Sequence, residues 1–172
     1  RPLGSTQYEA TQGSNFSAEP LVARVLRGEQ DAGGDKFVGV IQTSYGPVLY
    51  TSAPVRNESE RLVGVMLFGT HLQTLVTDLK TESLADIVLQ APGGEVMATT
   101  FSDQEGPDAG FALSPAQLES LDGYSTRRFE VYGRDYEGGY APLISRQTTL
   151  GTLGVALPSN FLVSSESISR TS

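Results

Sequence analysis

The chain repeats one stretch of itself, and that repetition limits what it can fold into. Ala53-Pro54-Val55 returns as Ala141-Pro142-Leu143, 88 positions on. Val63-Gly64-Val65 returns as Leu153-Gly154-Val155, 90 positions on, so one small insertion separates the two matches. In each copy a strand-like run reaches the proline, a polar linker follows, and a glycine-containing apolar run leads to a helix start at Thr70 or Asn160. Two matches in the same order with the same flanks point to a duplication. The spacing exceeds the roughly 20–50 residues of solenoid repeats, so two small domains are expected rather than a repeat array.

Charge narrows the partners. The net charge of the 172 residues is −8, and the twelve Lys and Arg are scattered, with Arg127-Arg128 the sole adjacent pair. A nucleic-acid footprint needs clustered basic charge, so no nucleic acid is expected, and anionic lipid is disfavoured for the same reason. No run approaches the ~18 apolar residues of a membrane span. The absence of cysteine excludes disulfides, zinc–thiolate sites and thiol catalysis.

Local patterns lay out the elements. Ser17 reads as the N-cap of a helix with Leu21, Val22, Val25 and Leu26 on one face and Gly28 at its C-terminal cap. Phe37–Thr43 and Pro47–Ala53, joined by Ser44-Tyr45-Gly46, read as a hairpin. Pro54 is expected to end its strand, having no N–H for the ladder. Arg61–Gly69 is almost continuously apolar, the pattern of a strand buried on both faces, with Gly64 admitting a close neighbour. Leu72, Leu75, Val76 and Leu79 recur at i, i+3, i+4, i+7, which predicts a core-facing helix over 70–81 that joins the two halves.

Ala85–Leu89 and Glu95–Phe101 flank Pro92-Gly93-Gly94 as a second hairpin. Ser114-Pro115-Ala116-Gln117 is a capping box with proline at the first helical position. Arg127–Gly133, Tyr136–Ala141 and Leu150–Leu157 repeat the three-strand unit, and Ser159 or Asn160 starts a last helix. The second copy therefore opens with a hairpin that the first lacks, and two further strands before residue 1 are expected to complete the first.

Tyr45-Gly46-Pro47-Val48-Leu49-Tyr50 through Arg56, with Leu62-Val63-Gly64-Val65, resembles the closing strands of a PAS-like Cache module. Ala85–Leu89 with Gly93–Thr100 resembles the opening hairpin of a second module, closed by Tyr140-Ala141-Pro142-Leu143 and Leu153–Pro158. The resemblance spans Phe16 to Leu162 and rests on strand patterns. It implies an α+β fold of two PAS-like Cache modules with antiparallel sheets flanked by helices. The first, membrane-distal and lacking its N-terminal strands, occupies residues 1–80; the second, membrane-proximal, occupies residues 81–172. It also implies the extracytoplasmic, small-molecule-sensing portion of a bacterial membrane receptor, a membrane-anchored homodimer whose output is a histidine kinase, nucleotide cyclase or chemotaxis module.

The chemistry in the sequence agrees with binding rather than turnover. No GxSxG, HExxH, Walker A or GxGxxG string occurs, and no enzyme activity, cofactor or metal is expected. His71, the one histidine, stands at a helix start and reads as solvated or capping. Asp103, Glu105 and Asp108 read as a solvated loop, since calcium-loop spacing is missing. The binding candidates are Lys36, for an anion, and Tyr45, Tyr50 and Ser52, as hydrogen-bonding groups on an apolar wall. Tyr50 and Ser52 share a face by the period of two. Tyr50 has a second reading, as half-buried core with its hydroxyl satisfied locally. Tyr124, Tyr132, Tyr136 and Tyr140 with Arg128 read as sheet decoration.

In amino-acid-binding Cache modules the resemblance implies an aspartate near the end of the last strand. Leu67-Phe68-Gly69-Thr70 has no acid, so the expected ligand is polar or anionic and not an α-amino acid. The rival to a sensor is a non-catalytic interaction or adhesion module, and more remotely a carboxylate-dependent hydrolase.

Overall fold

The computed structural model describes residues 15–101, 110–131 and 133–160. Asp103, Glu105 and Asp108 of the acidic loop lie outside the described residues, as do Tyr132 and the continuation of the last helix beyond Asn160. Two compact units divide the chain: Arg1–Ile41 with Val48–Thr70, and Gln42–Pro47 with His71–Ser172.

The first unit holds α1 (Pro20–Leu26), β1 (Phe37–Thr43), β2 (Gly46–Arg56) and β3 (Leu62–His71), its sheet ordered β1-β2-β3. Pro20 at the first turn starts α1, and Glu19 rather than Ser17 occupies the cap position. The Ser17 backbone N–H instead donates to the Asn15 side chain at 3.0 Å, a local Asx bond. Gly28, at φ +68°, ends the helix as its C-cap pattern predicts. The core is Leu21, Val25 and Phe37, with Ile41, Tyr50, Leu62 and Val65 packed around it.

Three expectations about this unit are corrected. Strand β2 runs through Pro54 to Arg56. With the hairpin closing at Thr43 and Gly46, β1 runs out opposite Ser52, so Pro54 lies where no ladder bond to β1 is needed. Strand β3 is an edge strand, exposing Val63, Met66 and Phe68, because nothing pairs with it beyond β2 among the described residues. Gly64 has no close neighbour, since a Cβ there would stand 4.0 Å from Val55.

The second unit holds α2 (Leu72–Ser83), β4 (Asp86–Gln90), β5 (Val96–Thr99), α3 (Pro115–Glu119), β6 (Ser125–Val131), β7 (Arg134–Ser145) and β8 (Thr148–Pro158). Its antiparallel sheet is ordered β5-β4-β8-β7-β6. The run helix, strand, strand, strand recurs as α3-β6-β7-β8, and both helices begin at a proline. The predicted capping box is present: the Ser114 N–H donates to Gln117 Oε1 at 2.9 Å. Phe101, Phe111, Tyr136 and Tyr140 form an aromatic core with Val88, Val131 and Ala156.

The stripe helix forms as α2, with Leu72 and Val76 fully buried. It packs on β4 and β5, and the compact units divide at Thr70 and His71. Leu84, at φ +59°, reverses the chain from α2 into β4. Truncating Leu72 to alanine removes a wholly enclosed side chain and leaves a void. It is expected to cost about 2–5 kcal/mol, read as a lowered denaturation midpoint with an unchanged m-value.

Candidate functional site

The residues singled out in the first unit fall into different roles. Lys36 is exposed, immediately before β1, next to the buried Phe37. Among the described residues it makes no ion pair, whereas its neighbour Asp35 lies 3.4 Å from Arg56. The Arg24 guanidinium lies over the Phe37 ring, 3.8 Å from its centroid, and is also held by Glu29 at 3.0 Å. Arg27 first, then Arg24, holds the Glu29 carboxyl below its usual range by hydrogen bonding.

Ser52 is wholly buried. Its hydroxyl donates to the Leu21 carbonyl at 3.1 Å, with the Phe37 carbonyl at 3.4 Å as a second acceptor. One side chain on β2 thereby ties α1 to the start of β1. Tyr50, two residues earlier on the same face, is half-buried against the Leu21, Val25 and Phe37 core. Its ring crosses Gly69, where a Cβ would stand 2.5 Å from Tyr50 Cε1. Tyr45 sits at the tip of the hairpin, its ring 5.2 Å from that of His71. His71 occupies the N-cap position of α2 without a side-chain cap bond. Lys36, Tyr50 and Ser52 are thus gathered around α1 and the β1–β2 hairpin, and Tyr45 stands apart from them.

The tyrosines of the second unit are structural where buried. The Tyr140 hydroxyl donates to the Phe111 carbonyl at 2.7 Å, and Tyr136 stacks on Phe129 at 5.8 Å. Burial raises the Tyr140 pKa above its ordinary 10.0, against a smaller lowering by Arg127. Tyr124 is exposed.

The sequence reading missed a polar cavity of about 310 Å³ in the second unit, lined by Gln73, Thr77, Lys80, Thr99, Thr100 and Phe101. Lys80 Nζ lies 2.5 Å from Asp86 Oδ1, which also accepts from the Thr100 hydroxyl at 2.9 Å. The Gln73 amide donates to the Thr99 carbonyl at 2.9 Å. The available signal was Lys80 itself, one of two lysines, six residues before an aspartate at a strand start. Among the described residues no group of three His, Asp or Glu side chains is placed to hold a metal ion.

Residues 2–162 match the family described as the double sensory domain of two-component sensor kinases. The chain belongs to this double Cache family. Its role as a domain is sensory.

Solved structures show the same fold. One is the ligand-binding domain of the Pseudomonas fluorescens chemoreceptor CtaA, in complex with L-isoleucine. It matches at 13% identity with a TM-score of 0.51, over 90% of this chain and 63% of that one. Another is the ligand-binding domain of the Campylobacter jejuni chemoreceptor Tlp3, in complex with 4-methylisoleucine. It matches at 14% identity with a TM-score of 0.55, over 87% of this chain and 56% of that one. The chain therefore spans less than two thirds of these structures. No curated protein matches it.

Two substitutions test the roles assigned to buried hydroxyls. Ser52→Ala leaves the Leu21 and Phe37 carbonyls without that donor and is expected to cost about 1–2 kcal/mol. Tyr140 has a folded-state pKa above its unfolded value. Its contribution is therefore fully present below pH 10 and is lost as pH rises from there toward the folded pKa. In Tyr140→Phe that share of the alkaline decline should vanish, read as a flatter dependence of unfolding free energy on pH above 10.

Proposed function

We propose that this chain is the extracytoplasmic ligand-sensing portion of a bacterial membrane receptor and binds a small polar or anionic molecule at its first unit. The family match over residues 2–162 carries the reading. That family's description names a sensor kinase, which supports a kinase among the possible outputs; a membrane-anchored homodimeric parent is part of the same proposal. No helix among the described residues is long and apolar enough to cross a membrane.

Lys36 supports the anionic ligand, as an exposed ammonium with no ion-pair partner among the described residues. Tyr50 supplies the adjoining wall, and Ser52 serves the site by holding α1 against the hairpin. The chemoreceptor structures above hold an amino acid or a close analogue, but the end of β3 here, Leu67 to Thr70, offers no carboxylate to an ammonium. A carboxylate or phosphate-bearing metabolite without an α-amino group fits better.

A thermal-shift screen of the parent's whole sensory region against metabolite libraries tests this. A specific ligand raises the melting temperature by mass action. Lys36→Ala should then weaken binding about tenfold, the scale of one charge-assisted hydrogen bond, and Tyr50→Phe by less. Binding of no small molecule favours an adhesion module. Affinity unchanged by Lys36→Ala but lost in Lys80→Ala moves the site to the cavity between α2 and β5.

A further inference from the structure

We infer that the cavity between α2 and β5 is a second binding site, for a small uncharged molecule that carries several hydroxyl groups. All of its lining residues belong to the second unit, whereas Lys36, Tyr50 and Ser52 belong to the first. The observation is a helix that turns polar side chains toward a strand end. Leu72 and Val76 of α2 are fully enclosed. Beside them Gln73, Thr77 and Lys80 recur at i, i+4, i+7, so they form a polar stripe along one flank of the helix. Across about 310 Å³ of space that stripe meets Thr99, the last residue of β5, and the two that follow it, Thr100 and Phe101. Packed elements ordinarily interdigitate until such gaps close. Short threonine side chains on both walls keep this one open.

The polar groups around the cavity are held in place by the fold, so a ligand has little to order on arrival. The Gln73 amide is fixed on the Thr99 carbonyl, and the Thr100 hydroxyl donates to Asp86 while accepting from the Ile87 N–H at 2.9 Å. Hydrogen-bonding capacity is left over on the helix side. Gln73 Oε1 accepts no bond among the described residues. The Thr77 hydroxyl donates to the Gln73 carbonyl at 2.8 Å and keeps its lone pairs. Lys80 directs one of its three N–H groups at Asp86. Acceptors and donors thus stand within one small space, and a hydroxyl both donates and accepts. Lys80 and Asp86 offset each other's charge, so neither an anion nor a cation gains a full partner. Phe101 supplies the apolar wall that suits a carbon chain, its own ring held edge-on by Phe111 and Tyr136. The ligand chemistry is that of a short polyol.

Titration of the isotopically labelled 172-residue chain with erythritol, followed through amide chemical shifts, tests this. Melting temperature is the wrong readout, because polyols stabilise folded proteins in general by exclusion from their surfaces. Saturating shifts are expected at the lining residues, centred on Gln73, Thr77 and Thr100. The probe meso-tartrate, the same four-carbon diol ending in two carboxylates, should bind about tenfold more weakly or worse. Thr77→Val removes one hydroxyl at an exposed helix position and should weaken erythritol about fivefold, the scale of one hydrogen bond. Thr77→Phe fills the space and should abolish saturation. Both variants should melt near the unaltered chain. The inference is overturned by shifts that grow linearly without saturating, by saturating shifts centred elsewhere, by tartrate binding as tightly as erythritol, or by unchanged affinity in the Thr77 variants.

Discussion

At Gly154, midway along the central strand of the second sheet, a Cβ would stand 2.7 Å from Val88 Cγ1 and 2.9 Å from Tyr140 Cε1. Neither distance is one that real Cβ atoms adopt, so the bare backbone is what lets β4 and β7 lean their side chains over β8 from both sides. Tyr140 uses that space to lie wholly buried, its hydroxyl donating to Phe111 O. Phe111 is thereby fixed against Phe101, Phe129 and Tyr140, and the aromatic core closes around one absent side chain. The Gln90 amide does parallel work at the other end of β4. It donates to the carbonyls of Gly94 and Leu113 and accepts from the Leu113 N–H, so its buried polar atoms are satisfied. The Gly93-Gly94 turn and the approach to α3 are held together through that one side chain.

The periodic features were legible in the sequence because they depend on near neighbours alone. The α2 stripe, the Ser114 capping box, the Gly28 cap and the two hairpins all follow from spacing, φ preference or a cap bond within four residues. Reading β3 as doubly buried failed because apolar content reports what a strand can bury, not what lies beside it. An apolar strand at an open edge and one inside a sheet have the same composition. The close-approach reading of Gly64 is met instead by Gly154, its partner in the duplication, whose flanking strands bring Val88 and Tyr140. Pro54 and Pro142 stay within their strands because β1 and β6 end before reaching them, with β6 stopping at Ser125 opposite Tyr140. Strand lengths, and not the prolines, decided the outcome.

For the site, the sequence named residue types that suit a ligand but not their commitments. Ser52 reads as an available hydroxyl until α1 is folded onto the hairpin, when the Leu21 carbonyl takes it. The cavity beside α2 was invisible because the left-handed turn at Leu84 is what swings Lys80 back onto Asp86.

Charge separates the site proposed at Lys36 from the cavity beside α2. Lys80 already neutralises Asp86, whose carboxylate is mostly shielded and accepts a second bond from Thr100. An anion entering that cavity meets an ammonium whose charge Asp86 already offsets, and the carboxylate's own repulsion beside it. A neutral polar molecule meets no such penalty there. At Lys36 the ammonium stays in water at a strand entrance, so an anion gains a partner while neither group is fully desolvated. The protein around Lys36 includes Asp35, but that carboxylate faces Arg56 at 3.4 Å, which offsets its repulsion. The proposal of an anionic ligand at the first unit rests on this difference in charge.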